Sequence, residues 1–499
     1  MSQGLSERSW REGIILQTVT RHSTKIHEFF GLSPSASPTN SSRSLPDHTT
    51  RQESYSSAAT RTQNMKLKEK HPTLRHTMQR ASRYLSALVQ VITPIWFTPA
   101  TSLATLALAL RLLPAAGIAF GAAVPLSTAL YLGALSLHVP VSLVFVLRLA
   151  LYPRRTRRAA LRERDASGLE LGYLASWPAG WVLLAAFAGF AAAEGGKVGA
   201  VAPALALAAY AAWWAAAAWS AATVLFVLVM LLSTRVRSTS RTSGGRFAPL
   251  VGLVVCCSGL GMVAFVGGLL ASLRREGAGD GGAGERILSA GLAAPMVLFS
   301  FGAVGAALFM AAFIYAVLLH EMILVTGWPP PEQTAAVFSL IEPLAQCAAA
   351  LLVLGPVAAT RDSSVAPGDQ AIANETVMLT GLTRMSTLEV GCVLFVLLMG
   401  GMTVVWLILA FFTVFYRLSR RELFWNPSWN GMVTPITVLA ILSILLGKGL
   451  DSPFFRVSGC VLIGLGVLLL LVNLGFGVRL AVTAKAKREL SATGEMETT

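Results

Sequence analysis

The sequence predicts an all-α polytopic membrane protein of ten transmembrane helices. Hydrophobic residues fill 54% of the 499 positions and charged residues only 13%, where ordinary soluble domains carry roughly 25% charged. Mean hydropathy is +0.62. The apolar residues are gathered into runs of about 20, the length a helix needs to cross a ~30 Å hydrocarbon core. Arg and Lys flank these runs and rarely interrupt them, as in a chain oriented in a bilayer.

The chain opens on a polar stretch. Residues 1–88 lack apolar runs, and Ser33 to Gln63 is dominated by Ser, Thr, Pro, Asn and Arg. That composition buries too little apolar surface to offset chain entropy, so 1–88 reads as a disordered basic cytoplasmic tail. No cleavable signal peptide is recognised in it. Its basic residues, with Lys66, Lys68 and Lys70, suit a segment lying near anionic lipid. Ten spans follow, at about 91–112, 124–151, 171–193, 201–232, 247–272, 287–318, 335–359, 386–416, 431–447 and 454–480. They make 89–482 the membrane domain and leave 483–499 as a short cytoplasmic C-terminal tail. The even-numbered spans are the longer ones, which implies tilt or extension beyond the bilayer. Abundant Gly and Ala in spans 3 to 6 let backbones approach closely where no hydrophobic force drives association.

Charge placement orients the spans. The loop after span 2 holds Arg154, Arg155, Arg157, Arg158, Arg162 and Arg164, and the loop after span 4 holds Arg235, Arg237, Arg241 and Arg246. Arg417, Arg420 and Arg421 follow span 8, and Lys485, Lys487 and Arg488 follow span 10. The opposite loops are sparser in both, so both termini are expected in the cytoplasm. The sequon Asn374-Glu375-Thr376 falls after span 7, on the outer side of that topology, and makes Asn374 a glycosylation candidate.

Several function classes lack their signatures. The net charge of +15 is distributed at span ends and forms no basic face with a nucleic-acid-binding motif, so no nucleic-acid partner is expected. The five cysteines lie inside apolar runs without metal-ligand spacing, and no GxxxxGK[ST] or GxSxG occurs. No cofactor or metal is expected. Membrane enzymes of the transferase kind gather several His, Asp or Glu at one face; here the intramembrane acids come to little beyond Glu342 and Glu389. The chain is not read as an enzyme.

The odd spans share a feature. Each carries a proline in its first third: Pro99, Pro178, Pro249, Pro343 and Pro435. Proline removes a helix hydrogen bond and kinks the helix, and in a membrane the freed carbonyl needs a neighbour or a water-lined cavity. Five kinked odd spans, each followed by a differently built even span, point to five helical hairpins around a central path.

Several segments carry a family resemblance. They are Ile92 to Thr98, Phe145 to Arg155, the Trp213-Trp214 pair, Gly327 to Pro330 with Val337 to Gln346, and Leu450 to Gly459. In this order they resemble the tellurite-resistance/dicarboxylate transporter family of voltage-dependent, slow-anion-channel type, from about residue 90 to 480. That family includes plant slow anion channels, bacterial tellurite-resistance proteins, fungal malate transporters and fungal sulfite efflux pumps. The chain is most similar to the sulfite-efflux branch. The resemblance implies five hairpins in a quasi-fivefold ring, odd helices lining a central pore, and homotrimers. It also marks departures. Pro99 to Ala104 replaces a Gly-rich stretch, the His-Pro ahead of span 3 is absent, Glu342 replaces a glycine, and Thr434 replaces an aromatic at the pore constriction.

The pore and gate candidates are therefore the five prolines with Thr101, Glu342, Gln346 and Thr434. A carboxylate deep in a bilayer costs about 2.5–3.5 kcal/mol on insertion scales and normally faces a cavity or a partner. Glu342 reads either as a pore group coupling anions to protons or as a residue near the span's cytoplasmic end that reaches headgroup water. Thr434 and Gln346 offer a hydroxyl and an amide to an anion, and threonine at the constriction is expected to leave a wider, wetter path. His138 reads as a hydrogen-bonded packing residue, Arg148 as a snorkelling one, Arg456 as an outer anchor, and Trp213 and Trp214 as packing or interfacial residues. The resemblance implies plasma-membrane transport of a small inorganic or dicarboxylate anion, with sulfite efflux as the named activity. The alternatives are a proton-coupled C4-dicarboxylate (malate) carrier and a transport-dead scaffold or sensor.

Overall fold

The apolar runs fold into helices in the predicted order. The computed structural model describes residues 89, 92–153, 171–194, 201–235, 247–274, 286–325, 328–359, 386–423 and 425–496. The tail at 1–88 and the sequon at Asn374 lie outside the described residues. The ten helices are α1 (Thr98–Leu112), α2 (Ala123–Leu151), α3 (Ser176–Ala193), α4 (Ala202–Arg235), α5 (Phe247–Ser272), α6 (Ala290–His320), α7 (Glu342–Ala359), α8 (Thr387–Ser419), α9 (Val433–Gly449) and α10 (Pro453–Met496). Among the described residues, ten stretches are long and apolar enough to cross a membrane. The helix α10 does not stop at the predicted tail: it continues unbroken past residue 482.

Sequential helices pair as hairpins, α1 with α2, α3 with α4, α5 with α6, α7 with α8 and α9 with α10. The odd helices also pack on one another, α1 on α3, α3 on α5, α5 on α7, α7 on α9, and α9 back on α1. Burial follows this arrangement. The odd spans are 61 to 89% buried, the even spans only 17 to 39%. Large apolar side chains such as Leu143, Leu225, Phe309, Leu398 and Leu471 point outward from the even helices, where only lipid makes such exposure favourable.

Small residues set the spacing of the inner helices. Gly172, ahead of α3, lies so close to α5 that an added Cβ would stand 2.3 Å from the Cα of Gly252. An added Cβ at Gly267 would meet the Ser300 hydroxyl at 2.3 Å and the Trp213 ring at 2.6 Å. Trp213 is fully buried and donates from Nε1 to the Val263 carbonyl at 2.9 Å, so it is a packing residue between α4 and α5. Arg148 does not snorkel. It is buried and donates to the Ile92 carbonyl, tying α2 to the turn ahead of α1. Arg456 pairs with Asp451 at the start of α10. Four of the cysteines are buried, whereas Cys460 faces outward from α10.

Candidate functional site

Four odd spans begin as 3₁₀-helix before turning α-helical: Pro94–Phe97 before α1, Tyr173–Ala175 before α3, Pro331–Leu340 before α7 and Pro427–Met432 before α9. The prolines of the sequence pattern stand just after these junctions, in the first turn of α1, α3, α7 and α9, and Pro249 stands in the first turn of α5. They are not mid-helix kinks. Proline's fixed φ favours the first helical turn, and in four of the five odd spans it marks where the pitch changes.

The carbonyls at these junctions are taken up by side chains, as a dry environment demands. Thr98 Oγ1 donates to the Ile95 carbonyl at 2.8 Å, four residues before Pro99. Tyr315 of α6 donates to the Leu340 carbonyl at 2.6 Å, three residues before Pro343. Ser102 of α1 donates to the Asn430 carbonyl at 3.1 Å, in the turn ahead of α9.

A cavity opens at the level of these junctions, and every residue lining it belongs to an odd span. Thr98, Thr101 and Thr105 come from α1; Tyr173, Ser176 and Ala179 from the start of span 3; Val255, Ser258 and Met262 from α5. Span 7 contributes Ser339, Glu342 and Gln346, and span 9 contributes Gly431 and Thr434. The cavity volume is about 30 Å³, room for one or two waters.

Of the predicted candidates, Thr101, Glu342, Gln346 and Thr434 line the cavity and the five prolines do not. Glu342 is 7% exposed, at the far end of the ten-residue 3₁₀ segment, so the reading in which it reaches headgroup water does not hold. Ser258 of α5 lines the same cavity. Thr434 faces it from span 9. Its Oγ1 lies 3.0 Å from Ser102 Oγ, linking α9 to α1.

Other hydroxyls are occupied within their own helices. Thr101 donates to the Thr98 carbonyl at 2.9 Å, Thr105 to that of Thr101 at 2.7 Å, and Ser258 to that of Val255 at 2.7 Å. The buried Tyr173 hydroxyl and Gln346 Oε1 have no hydrogen-bond partner among the described residues. Sequence reasoning missed Tyr173, Ser102 and Ser258. The Thr98, Thr101, Thr105 spacing was a legible polar stripe, but nothing local marks Tyr173. Glu389, counted as an intramembrane acid, is the N3 residue of a capping box with Ser386 that starts α8. Glu321, just beyond the predicted end of span 6, is buried. His138 is buried against Phe97 and Trp181 as a packing residue, but neither ring nitrogen makes the expected hydrogen bond among the described residues. Among the described residues no group of three His, Cys, Asp or Glu could hold a metal ion.

The voltage-dependent anion channel family matches the chain over residues 91–478. The chain belongs to that family. Its ten membrane-crossing helices are those of an anion-transporting membrane protein, and the family is one of channels and transporters, not enzymes. No curated protein matches the chain. The match runs from ahead of α1 into α10, so the cavity lies wholly inside the family's region.

Proposed function

We propose that this family member moves small inorganic anions, with sulfite efflux across the plasma membrane as the specific activity, along the path enclosed by the odd spans. The observation that carries this reading is the cavity lining. Its polar groups are hydroxyls, one amide and one carboxyl, set among apolar side chains such as Leu183, Val255 and Met262, with no Lys or Arg among the lining residues. Such a surface replaces part of an anion's hydration without trapping it as a fixed cation would. Size favours sulfite over a C4-dicarboxylate. A cavity holding one or two waters must widen for either, and it widens less for a four-atom anion. A quasi-fivefold ring of five hairpins is the accompanying arrangement, supported by the closed order of packing among the odd helices. Homotrimeric assembly, which the family resemblance implies, is checked by the mass of the detergent-solubilised particle.

Glu342 supports proton control of the path. An ionised carboxyl in the cavity repels an anion, whereas a neutral one donates a hydrogen bond to it. Anion passage therefore requires the protonated form, and acidifying the side Glu342 faces raises flux. The test is sulfite, malate, nitrate and chloride flux in proteoliposomes under imposed pH gradients. Sulfite flux rising with acidity is the expected result, and Glu342→Gln should give high flux with little pH dependence. A Glu342→Gln protein that keeps the wild-type pH profile would remove the proton gate. Glu342 also suits a proton-coupled malate carrier, which malate flux exceeding sulfite flux would establish. Absence of flux for every anion would leave the scaffold or sensor reading.

A further inference from the structure

A buried polar atom without a partner is costly, and each one in a native protein calls for an explanation. Two such atoms belong to residues that line the cavity, the Tyr173 hydroxyl and Gln346 Oε1. Both residues are 2% exposed. They approach from different spans, Tyr173 from the 3₁₀ turn ahead of α3 and Gln346 from the second turn of α7. The Tyr173 hydroxyl faces the Gly431 backbone, where an added Cβ would stand 3.4 Å from the phenol oxygen. Gln346 Oε1 lies beside Gly261, with an added Cβ there at 3.1 Å. The missing side chain at each glycine leaves the polar atom room and gives it no partner.

The cavity's threonine and serine hydroxyls differ in kind. Thr101, Thr105 and Ser258 already donate to carbonyls of their own helices. To serve an anion, each would have to give up that bond. Tyr173 and Gln346 have no such bond to lose. The Tyr173 O–H is a donor the cavity holds in reserve, and a rotation exchanging the two ends of the Gln346 amide puts an N–H where its unpartnered oxygen stands.

Resting on the anion-transport reading above, we propose that the Tyr173 hydroxyl and the Gln346 amide form the anion-binding station of this cavity and set its preference among small inorganic anions. The ligand class is a strongly hydrated oxyanion or halide, which loses most on dehydration and gains most from two donors. A weakly hydrated anion such as nitrate gains less. The charged group facing the station is Glu342, which lines the same cavity.

The experiment compares wild-type protein with Tyr173→Phe, Gln346→Met and the control Ser300→Ala. Ser300 also carries a partnerless buried hydroxyl, but on α6 and outside the cavity lining. Purified proteins are titrated with sodium sulfite, chloride and nitrate while the unfolding temperature is followed, and the same proteins are assayed for flux in liposomes. The wild type should be stabilised by sulfite and chloride. In Tyr173→Phe the apparent affinity for both should fall about tenfold, the scale of a hydrogen bond to a charged group, with nitrate little changed. The flux ratio of sulfite to nitrate should fall in step. Gln346→Met should move in the same direction and Ser300→Ala should not move. Unfolding temperature without added anion should be unchanged or raised in Tyr173→Phe, since the hydroxyl it removes is unpartnered. Wild-type affinity and selectivity in both Tyr173→Phe and Gln346→Met would overturn the station while leaving anion transport intact. If the wild type carries no anion, transport is refuted and the thermal titrations alone decide the station, an equal response in wild type and both variants overturning it. Should Tyr173→Phe fail to fold, Gln346→Met decides by the same readouts.

Discussion

Glu342 stands where α7 meets Ser258 of α5 and Tyr173 ahead of α3, and Thr434 faces the same cavity from α9. The resemblance leads one to expect an aromatic ring at the position of Thr434. The structure places there a hydroxyl linked to Ser102, a polar contact that joins α1 and α9. Thr434→Phe breaks that link and puts a large ring into a space for one or two waters. Flux should fall about tenfold, the effect of ~1.4 kcal/mol on a barrier, and it should fall in both the wild-type and the Glu342→Gln backgrounds. Flux equal to that of the parent in each background would show that Thr434 lies off the path. Legibility at this scale was uneven for physical reasons. Glu342 was visible because a charge inside an apolar run is costly wherever it ends up. Tyr173 was not, because its significance lies in Gly431 and Glu342, which are remote in sequence. Glu389 was misread although Ser386-x-x-Glu389 is a capping-box spacing, and the apolar run around it outweighed that local signal.

At the scale of elements, the 3₁₀ turns ahead of α7 and α9 are held from outside. Arg417 at the end of α8 donates to the Pro329 carbonyl at 2.6 Å and pairs with Glu422, and Asn426 donates to the Glu332 carbonyl at 3.1 Å. Trp328 packs on the rings of Phe412 and Tyr416. Asn473 of α10 does the same for span 9. It donates to the Trp429 carbonyl at 2.9 Å and accepts from Trp425 Nε1 at 3.1 Å. It is buried, so Asn473→Leu strands two polar groups and should destabilise the protein by about 1–3 kcal/mol, read as a lowered unfolding temperature. Because Trp429 precedes Thr434 by one short turn, the same change should alter flux, and unchanged stability and flux together would show that Asn473 positions nothing. The helices and their order were legible from apolar runs alone. Their 3₁₀ beginnings were not, since short 3₁₀ and α segments share residue preferences and differ in what the neighbours supply.

For the whole molecule, the division of labour between odd and even helices yields an accessibility pattern. Cysteines introduced on the cavity side of spans 1, 3, 5, 7 and 9 should react with small water-soluble thiol reagents, while mid-bilayer positions on spans 2, 6 and 10 should not. The native Cys460, outward-facing on α10, should be protected by lipid and react once the protein is in a lipid-free, denatured state. A reversed pattern would remove the pore assignment. Tags at both termini should become readable only after the plasma membrane is permeabilised, and an N-terminal tag detected on intact cells would invert the topology drawn from Arg placement. Both expectations were available from the sequence because bilayer crossing and loop charge act on whole segments, where single-residue errors average out.

The ten residues Pro331–Leu340 run as 3₁₀-helix where an α-helix would have been the ordinary choice. With three residues per turn, side chains three apart stand one above another. Gln333, Ala336, Ser339 and, at the junction, Glu342 therefore form a single file, all four of them buried. In an α-helix the nine steps from Gln333 to Glu342 would turn about 900°, leaving the two on opposite sides. The same segment is also about 5 Å longer than it would be as α-helix, from a rise of about 2.0 Å against 1.5 Å per residue. The winding of one short stretch thus sets both how deep the acid lies and which polar side chains share its side of the helix, a small alanine being the only apolar step between them.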